Sequence, residues 1–460
     1  MERKHIQHIF NRMGFGALPS ELDARAGLNK KTVVGNLLAA SKRVEPLVME
    51  LSELKAMSSP QNLRNASEEK KRELRKLSRE KIKGYNQLWL QRLLTSGQTV
   101  REKMTLFWAN VFVCRDNHIF HVQQYNNLLR THALGNLKEF VKAVAREPAM
   151  SKYLNNRQNV KQNPNENFAR ELMELFTLGN GHYGEDDIKE AARAFTGWSF
   201  KPNGEFFLRQ KQHDAGQKTF FGQTGNFNGD DIIDIIFQQR QCARFICEKI
   251  YRYFVHPEVD VARLDEMVSV FYGNYDIGKL MRYILLSDWF YDEKNIGAKI
   301  KSPVELLMGI QRIVPLTFEK GKHLMDLQKM MGQVLLYPPN VAGWKQDRYW
   351  IDSNTLLFRL KLASVLLNDA VINVDRKGEF EDSFEAYYRR TRNARRNIKI
   401  ERDWTLFERE FAALGDDVLE KTLLVGTIDQ DTRVFLNGLS SKDKKDYLVQ
   451  LMSLPEYQLC

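Results

Sequence analysis

The chain has 460 residues, enough for two or three average domains or one large one with appended elements. With 43% hydrophobic and 28% charged residues it can bury a core and is not disordered overall. The net charge is +11, but it is mostly scattered, and no apolar run approaches the roughly 18–20 residues that span a bilayer.

Residues 1–60 read as short helices. Met1-Glu-Arg-Lys-His-Ile-Gln-His-Ile-Phe10 enters a helical pattern directly and lacks the apolar core of an export signal, which predicts a cytoplasmic chain. Ser67 to Lys83 predicts a capped helix laced with salt bridges, and its continuation from Tyr85 gains a dense apolar face. A long helix follows from Val100 to about Val113, and residues 122–156 give two more helical segments.

Asn163-Pro-Asn-Glu-Asn-Phe-Ala-Arg-Glu-Leu-Met-Glu-Leu-Phe-Thr-Leu-Gly179 carries its own start and stop signals. Asn163 can cap it, Pro164 suits the first turn, Glu166 completes a capping box and Gly179 can end it in a left-handed turn. At 100° per residue, Phe168, Ala169, Leu172, Met173, Leu175 and Phe176 share one side. Glu166, Asn167, Arg170, Glu171, Glu174 and Thr177 share the other. Glu185-Asp-Asp187 opens the next helix, where three acids suit the positive end of the macrodipole.

After Gly197 the pattern changes. Trp198-Ser-Phe-Lys201, a turn at Pro202-Asn-Gly204 and Glu205-Phe-Phe-Leu-Arg209 predict a short hairpin, followed by a loop with a short strand from His213 to Gly222. From 260 to 370 the reading is helical, broken at Gly273, Ser302-Pro303, Pro315 and the loop Tyr337 to Trp344. Residues 371–400 read as a charged linker or mobile loop, and 401–460 as a helical tail packing on a main body of 1–370. In the linker, Arg389, Arg390, Arg392, Arg395, Arg396 and Lys399 form a basic patch, read as a solvated loop, so a nucleic-acid partner is not expected. Cys114, Cys242, Cys247 and Cys460 fit neither a disulfide framework nor a zinc spacing.

These segments carry a resemblance to a widespread bacterial family catalogued as domain of unknown function 1800. It rests on His8 with Arg12-Met-Gly-Phe-Gly16, Phe107-Trp108, Glu147-Pro-Ala-Met150 and the block Asn165 to Gly179. Ala192-Arg193 with Thr196-Gly-Trp198, His213-Asp214 with Lys218, Ser302-Pro303 with Glu305, Pro338-Pro-Asn340 with Gly343-Trp344, and Pro455-Glu-Tyr-Gln458 complete it. The resemblance implies no established activity. It implies a periplasmic or surface location for many relatives and a phosphatase/sulfatase-like neighbour as a partner. Ala109 and Val111 stand after Trp108 where the resemblance leads one to expect histidine in many relatives, so no metal role is expected there.

Glu166, Arg170 and Glu174, at i, i+4 and i+8, form one ridge flanked by Glu171. Such a ridge could bind a hard cation, orient a general base, face solvent as ordinary ion pairs, or brace neighbouring helices. His213-Asp214 with Lys218 suits acid/base or anion-binding work, or a loop locked by its own aspartate. Trp198, Trp344 and Trp350 border Gly or Pro and suit either a stacking surface or core packing, the plainer reading. The pairs His5/His8 and His118/His121 lack the glutamate of a zinc-protease pattern, and no phosphate loop, dinucleotide fingerprint or nucleophile elbow is present. No metal is therefore predicted, and the cofactor, if there is one, is unknown.

The fold is therefore expected to be mainly α, a large multi-helical body with a small β-hairpin element near 198–222. Two functions stay open. One is a hydrolase or transferase on a polar or anionic polymer, with Glu166, Glu171, His213 and Asp214 catalytic and Arg170, Lys218, Trp198, Asn340 and Trp344 binding substrate. The other is a non-catalytic helical scaffold that binds a partner.

Overall fold

The helix Thr99–Val111 forms the axis of the molecule and is buried without a break from Val100 to Trp108. Its charged residues are buried too, so each needs a partner. Arg130 Nε and Nη2 donate to the two oxygens of Glu102 at 2.7 and 3.1 Å. Arg101 donates to the carbonyls of Ser41 and Arg130 at 2.9 and 2.7 Å, and Lys103 pairs with Glu305. The computed structural model in which this is seen describes residues 1–57, 62, 66–368, 399–426, 428–438 and 443–460. The arginine cluster 389–396 and all but the last two residues of the expected linker lie outside the described residues.

The architecture is mainly α with small antiparallel hairpins. Two large apolar clusters meet at the axial helix. Met104, Phe107, Trp108 and Val111 face the first, together with helices Leu137–Arg146, Glu185–Ala194, Gly229–Gln238 and Arg240–Phe254. Leu106 faces the second, built from the apolar half of helix Glu68–Thr95, helices Pro303–Ile313 and Ser353–Leu367, and the tail residues Phe407, Leu419 and Tyr447. The chain's last residues lie along 299–301: Cys460 N donates to the Lys299 carbonyl at 2.8 Å and Lys301 N to the Gln458 carbonyl at 2.7 Å. Among the described residues no helix is long and apolar enough to cross a membrane.

Three elements differ from or extend the local reading. The hairpin Trp198–Phe200 with Phe206–Leu208 forms in register Trp198↔Leu208, and Lys218–Phe220 pairs with Gln223–Gly225. A third pair joins Leu316–Phe318 to Ile400–Arg402, partners too far apart in sequence for any local signal.

The helix expected from Asn163 starts later, at Asn167. Asn159 Oδ1 accepts from Asn165 N at 2.9 Å and Asn165 Oδ1 from Asn167 N at 3.1 Å, so these side chains hold the preceding backbone out of the helix. From Leu172 to Thr177 the helix widens to a π turn, with Leu178 N bonded to the Met173 carbonyl at 2.8 Å. The wider turn breaks the 100° wheel, and Thr177, expected on the polar side, is buried with its hydroxyl on the Leu172 carbonyl at 2.6 Å.

Candidate functional site

The predicted ridge and the predicted loop are each clasped by the same third element, helix Glu185–Ala194. At its N-terminal end, Arg170 forks onto Glu185 with two 3.0 Å bonds and onto Glu166 at 3.1 Å. The Glu185 bonds, then Glu166, raise the Arg170 pKa. Glu174 turns aside to accept from the Tyr183 hydroxyl at 3.1 Å. Burial and the neighbouring Glu174 push Glu171 above the usual carboxylate range.

At the other end of that helix, Arg193 Nε donates to Asp214 at 2.8 Å and its Nη1 to both oxygens of Glu190 at 2.9 Å. Burial works against the charged form of Asp214, but Arg193 and the Gly216 N–H (2.8 Å) win and lower its pKa. His213 Nδ1 donates to the Thr196 carbonyl at 2.8 Å. Lys218 is only 1% exposed, and its ammonium donates to the carbonyls of Asp214 and Gly216 at 2.6 and 2.9 Å. Burial lowers its pKa. Gly197 holds the loop in place with φ +77°, where an added Cβ would stand 2.8 Å from the Arg209 carbonyl.

Among the described residues, no hydrogen bond or ion pair joins Glu166, Arg170 or Glu171 to His213, Asp214 or Lys218. The two sets stay apart, each tied to Glu185–Ala194. The expected aromatic walls also separate. Trp198 packs against Phe195 and Phe206 at 5.0 and 4.9 Å in the first apolar cluster. Trp344 is buried in the second, its backbone N–H on Asn110 Oδ1 at 2.7 Å. Asn340 is an exposed turn residue, its side chain accepting from Ala342 N at 3.0 Å.

A different place has the shape of a binding site. A cleft of about 440 Å³ opens between the axial helix at Leu106 and Asn110, the segment Lys299–Ser302, and the wall Lys345–Trp350. The wall is aimed by Gly343, whose φ is +84° and where an added Cβ would stand 2.3 Å from Asn110 Oδ1. Glu305 lies at the cleft floor, its other oxygen accepting from Ser302 N at 2.6 Å in the capping box that opens helix Pro303–Ile313.

Around Glu305 gather Arg12, Lys103, Lys299, Lys301 and Arg359, all buried. Burial opposes the charge on Glu305, yet Lys103 and Lys299 hold its pKa far below the usual carboxylate range. Burial lowers the pKa of Lys299, and it pushes Lys301 to about 8 and Arg359 to about 10, while Glu305 and Cys460 partly restore them. Arg12 feels Cys460 first, then Glu305, and then Asp347 in the wall.

Several of these cations lean on neutral groups. Lys299 Nζ donates to the Tyr253 carbonyl at 2.5 Å, Lys301 Nζ to that of Tyr457 at 2.7 Å, and Arg12 Nη2 to that of Asn295 at 2.7 Å. Arg12 Nε and Nη1 and Arg359 Nη1 are buried without a protein partner. Cationic density beside a carboxylate-poor floor attracts an anion.

Sequence reasoning missed this cleft because its cations come from four separate stretches. The available signal was positional: among the motifs of the resemblance, Ser302 and Glu305 line the cleft, Arg12 lies close to Glu305, and Gly343 packs against the lining residue Asn110. No group of three or more His, Cys, Asp or Glu side chains is placed to hold a metal ion among the described residues.

A family model described as "Protein of unknown function (DUF1800)" matches residues 8–459, nearly the whole chain. No curated protein and no solved structure matches it.

Proposed function

The chain belongs to the DUF1800 family, and on that premise we propose that it binds an anionic ligand in the cleft between Lys299 and Trp350. One observation carries this reading: five buried cations share two negative groups, Glu305 and Cys460, and Lys299 and Glu305 of this cluster line a cleft large enough for an organic ligand. A buried cation that lacks a counter-charge is costly, and an oxyanion entering from the cleft relieves it.

The substrate class remains that of a hydrolase or transferase on a polar or anionic polymer, but the working groups move. Lys299 holds the anion, and Asp347 and Glu258 are the carboxylates left in the walls for acid/base work. The network on Glu185–Ala194 supports a scaffolding role for that half, since both of its arginines are paired within the chain. Such a scaffold is the surface that a phosphatase/sulfatase-like partner would meet.

The test is thermal unfolding in sulfate or phosphate against chloride at matched ionic strength. An anion at about a hundred times its Kd adds about 2.7 kcal/mol to stability. The wild-type chain should melt higher in the oxyanion, and Lys299→Met should lose that increment. An identical melting temperature in chloride and in both oxyanions defeats the proposal.

A further inference from the structure

Resting on the anion-binding reading, we infer that the ligand is a sugar bearing a phosphate or sulfate ester, with the ester at the Lys299 floor and the ring against the Tyr349 wall. Three observations point there. The cleft, at about 440 Å³, is far larger than an oxyanion and falls in the range for small organic ligands, so most of it must hold something else. Its mouth carries Tyr349, a large aromatic left 63% exposed, with Arg348 5.5 Å from the ring centre. An exposed tyrosine on a short turn whose next residue, Trp350, is buried offers one apolar face and a polar tip, the surface that the C–H face of a sugar ring covers.

The third observation is the charge of the walls. Beside Lys299 and Glu305, the walls mix the carboxylates of Glu258 and Asp347 with the cations of Arg252, Lys345 and Arg348. They suit a ligand that is anionic at one end and rich in hydroxyl donors at the other, because a hydroxyl donates to a carboxylate. Gln346 and Gln333 add amide groups to the same cleft. Asp347 is held at φ +49°, a left-handed conformation that aspartate and asparagine tolerate, and its Oδ1 accepts from Ile300 N at 3.3 Å. That bond ties the hydroxyl-accepting wall to the segment that carries Lys299 and Lys301.

The experiment is calorimetric titration of the full chain with inorganic phosphate, inorganic sulfate, glucose, and the 6-phosphates and 6-sulfates of glucose and galactose. Comparing phosphate with sulfate esters separates the two sources of the anion. The expected result is that at least one sugar ester binds about tenfold more tightly than its inorganic ion, and that Tyr349→Ala removes this margin while leaving the inorganic ion unchanged. Asp347→Asn should weaken the sugar esters and slightly strengthen the inorganic ions, since it removes a negative wall. Inorganic ions binding as tightly as every ester would overturn the sugar and leave the anion reading standing. If neither ions nor esters bind, both readings fall.

Discussion

Around helix Glu185–Ala194, the carboxylates of Glu166, Glu185, Glu190 and Asp214 meet the guanidiniums of Arg170 and Arg193. Around Glu305, the cations of Arg12, Lys103, Lys299, Lys301 and Arg359 outnumber the two negative groups buried with them, Glu305 and Cys460. Both places look equally charged in the sequence. The first is partly open to water, so solvent screens what the partners do not match, and each pair contributes little. The second is buried, so water screens little and the imbalance persists. A network paired within the chain and open to water shapes and steadies a surface; a buried one with excess charge, opened by a cleft, selects a ligand.

The strongest way to break this contrast is Glu305→Gln. Removing the carboxylate leaves Lys103 and its neighbours facing one another without compensation, and losing one partner of a buried pair costs about 3–5 kcal/mol. Urea unfolding should show a loss of that order. Sulfate should restore more stability to the variant than to the wild type, because the variant's floor is more cationic. A variant as stable as the parent would mean that the cations do not depend on Glu305.

A second prediction concerns Glu147, which is buried beside the hairpin Trp198–Leu208 and outside both networks. Burial pushes its pKa from 4.5 to about 7, and its Oε1 accepts only a 3.3 Å bond from Gln124. The folded-state value lies above the ordinary one, so the fold favours the protonated acid. That contribution is complete below about pH 4.5 and is lost as pH rises through about 7. Glu147→Gln should therefore stabilise the chain at pH 8 by up to about 3 kcal/mol and change little at pH 4. Chemical unfolding at the two pH values reads the difference. An equal effect at both would show that Glu147 does not titrate in this interval.

Asp214→Asn should have a smaller effect. It keeps the shape of the loop and removes the charge that Arg193 holds, at a cost of about 1–2 kcal/mol. Affinity for oxyanions in the cleft should stay at the wild-type level. A fall in that affinity would couple the two regions, and the separation drawn between them would fail.

The sequence is informative where the chemistry is local. The mainly helical fold, the hairpin at Trp198 and the i, i+4 bond between Glu166 and Arg170 all follow from spacing. Local spacing does not reveal that Glu185 would take the other side of Arg170, because that contact depends on how two helices meet. The π turn was hidden for a similar reason. A wheel drawn at 100° per residue places Thr177 with the acids, and only the wider turn buries it. The cleft was the least legible feature. Arg12, Lys103, Lys299 and Arg359 each sit in a segment that reads as an ordinary amphipathic or apolar stretch. A cation with no counter-charge nearby in sequence carries no local signature, since its partner arrives from a distant segment or from outside the chain.

The smallest expected effect belongs to Arg170→Ala, although the clasp it breaks looks the most elaborate. Arg170 forms a two-pronged bond to Glu185 and another to Glu166, but the partners are substantially exposed, with the Glu185 side chain 66% accessible. Water replaces such bonds readily, so the loss should be no more than about 1 kcal/mol. It should shrink further in 0.5 M salt, where screening already weakens the pairs. The same salt would compete for the cleft, so the measurement belongs in chloride, with sulfate titrated separately. A loss above about 3 kcal/mol would place Arg170 among the buried, uncompensated charges and erase the contrast with Glu305.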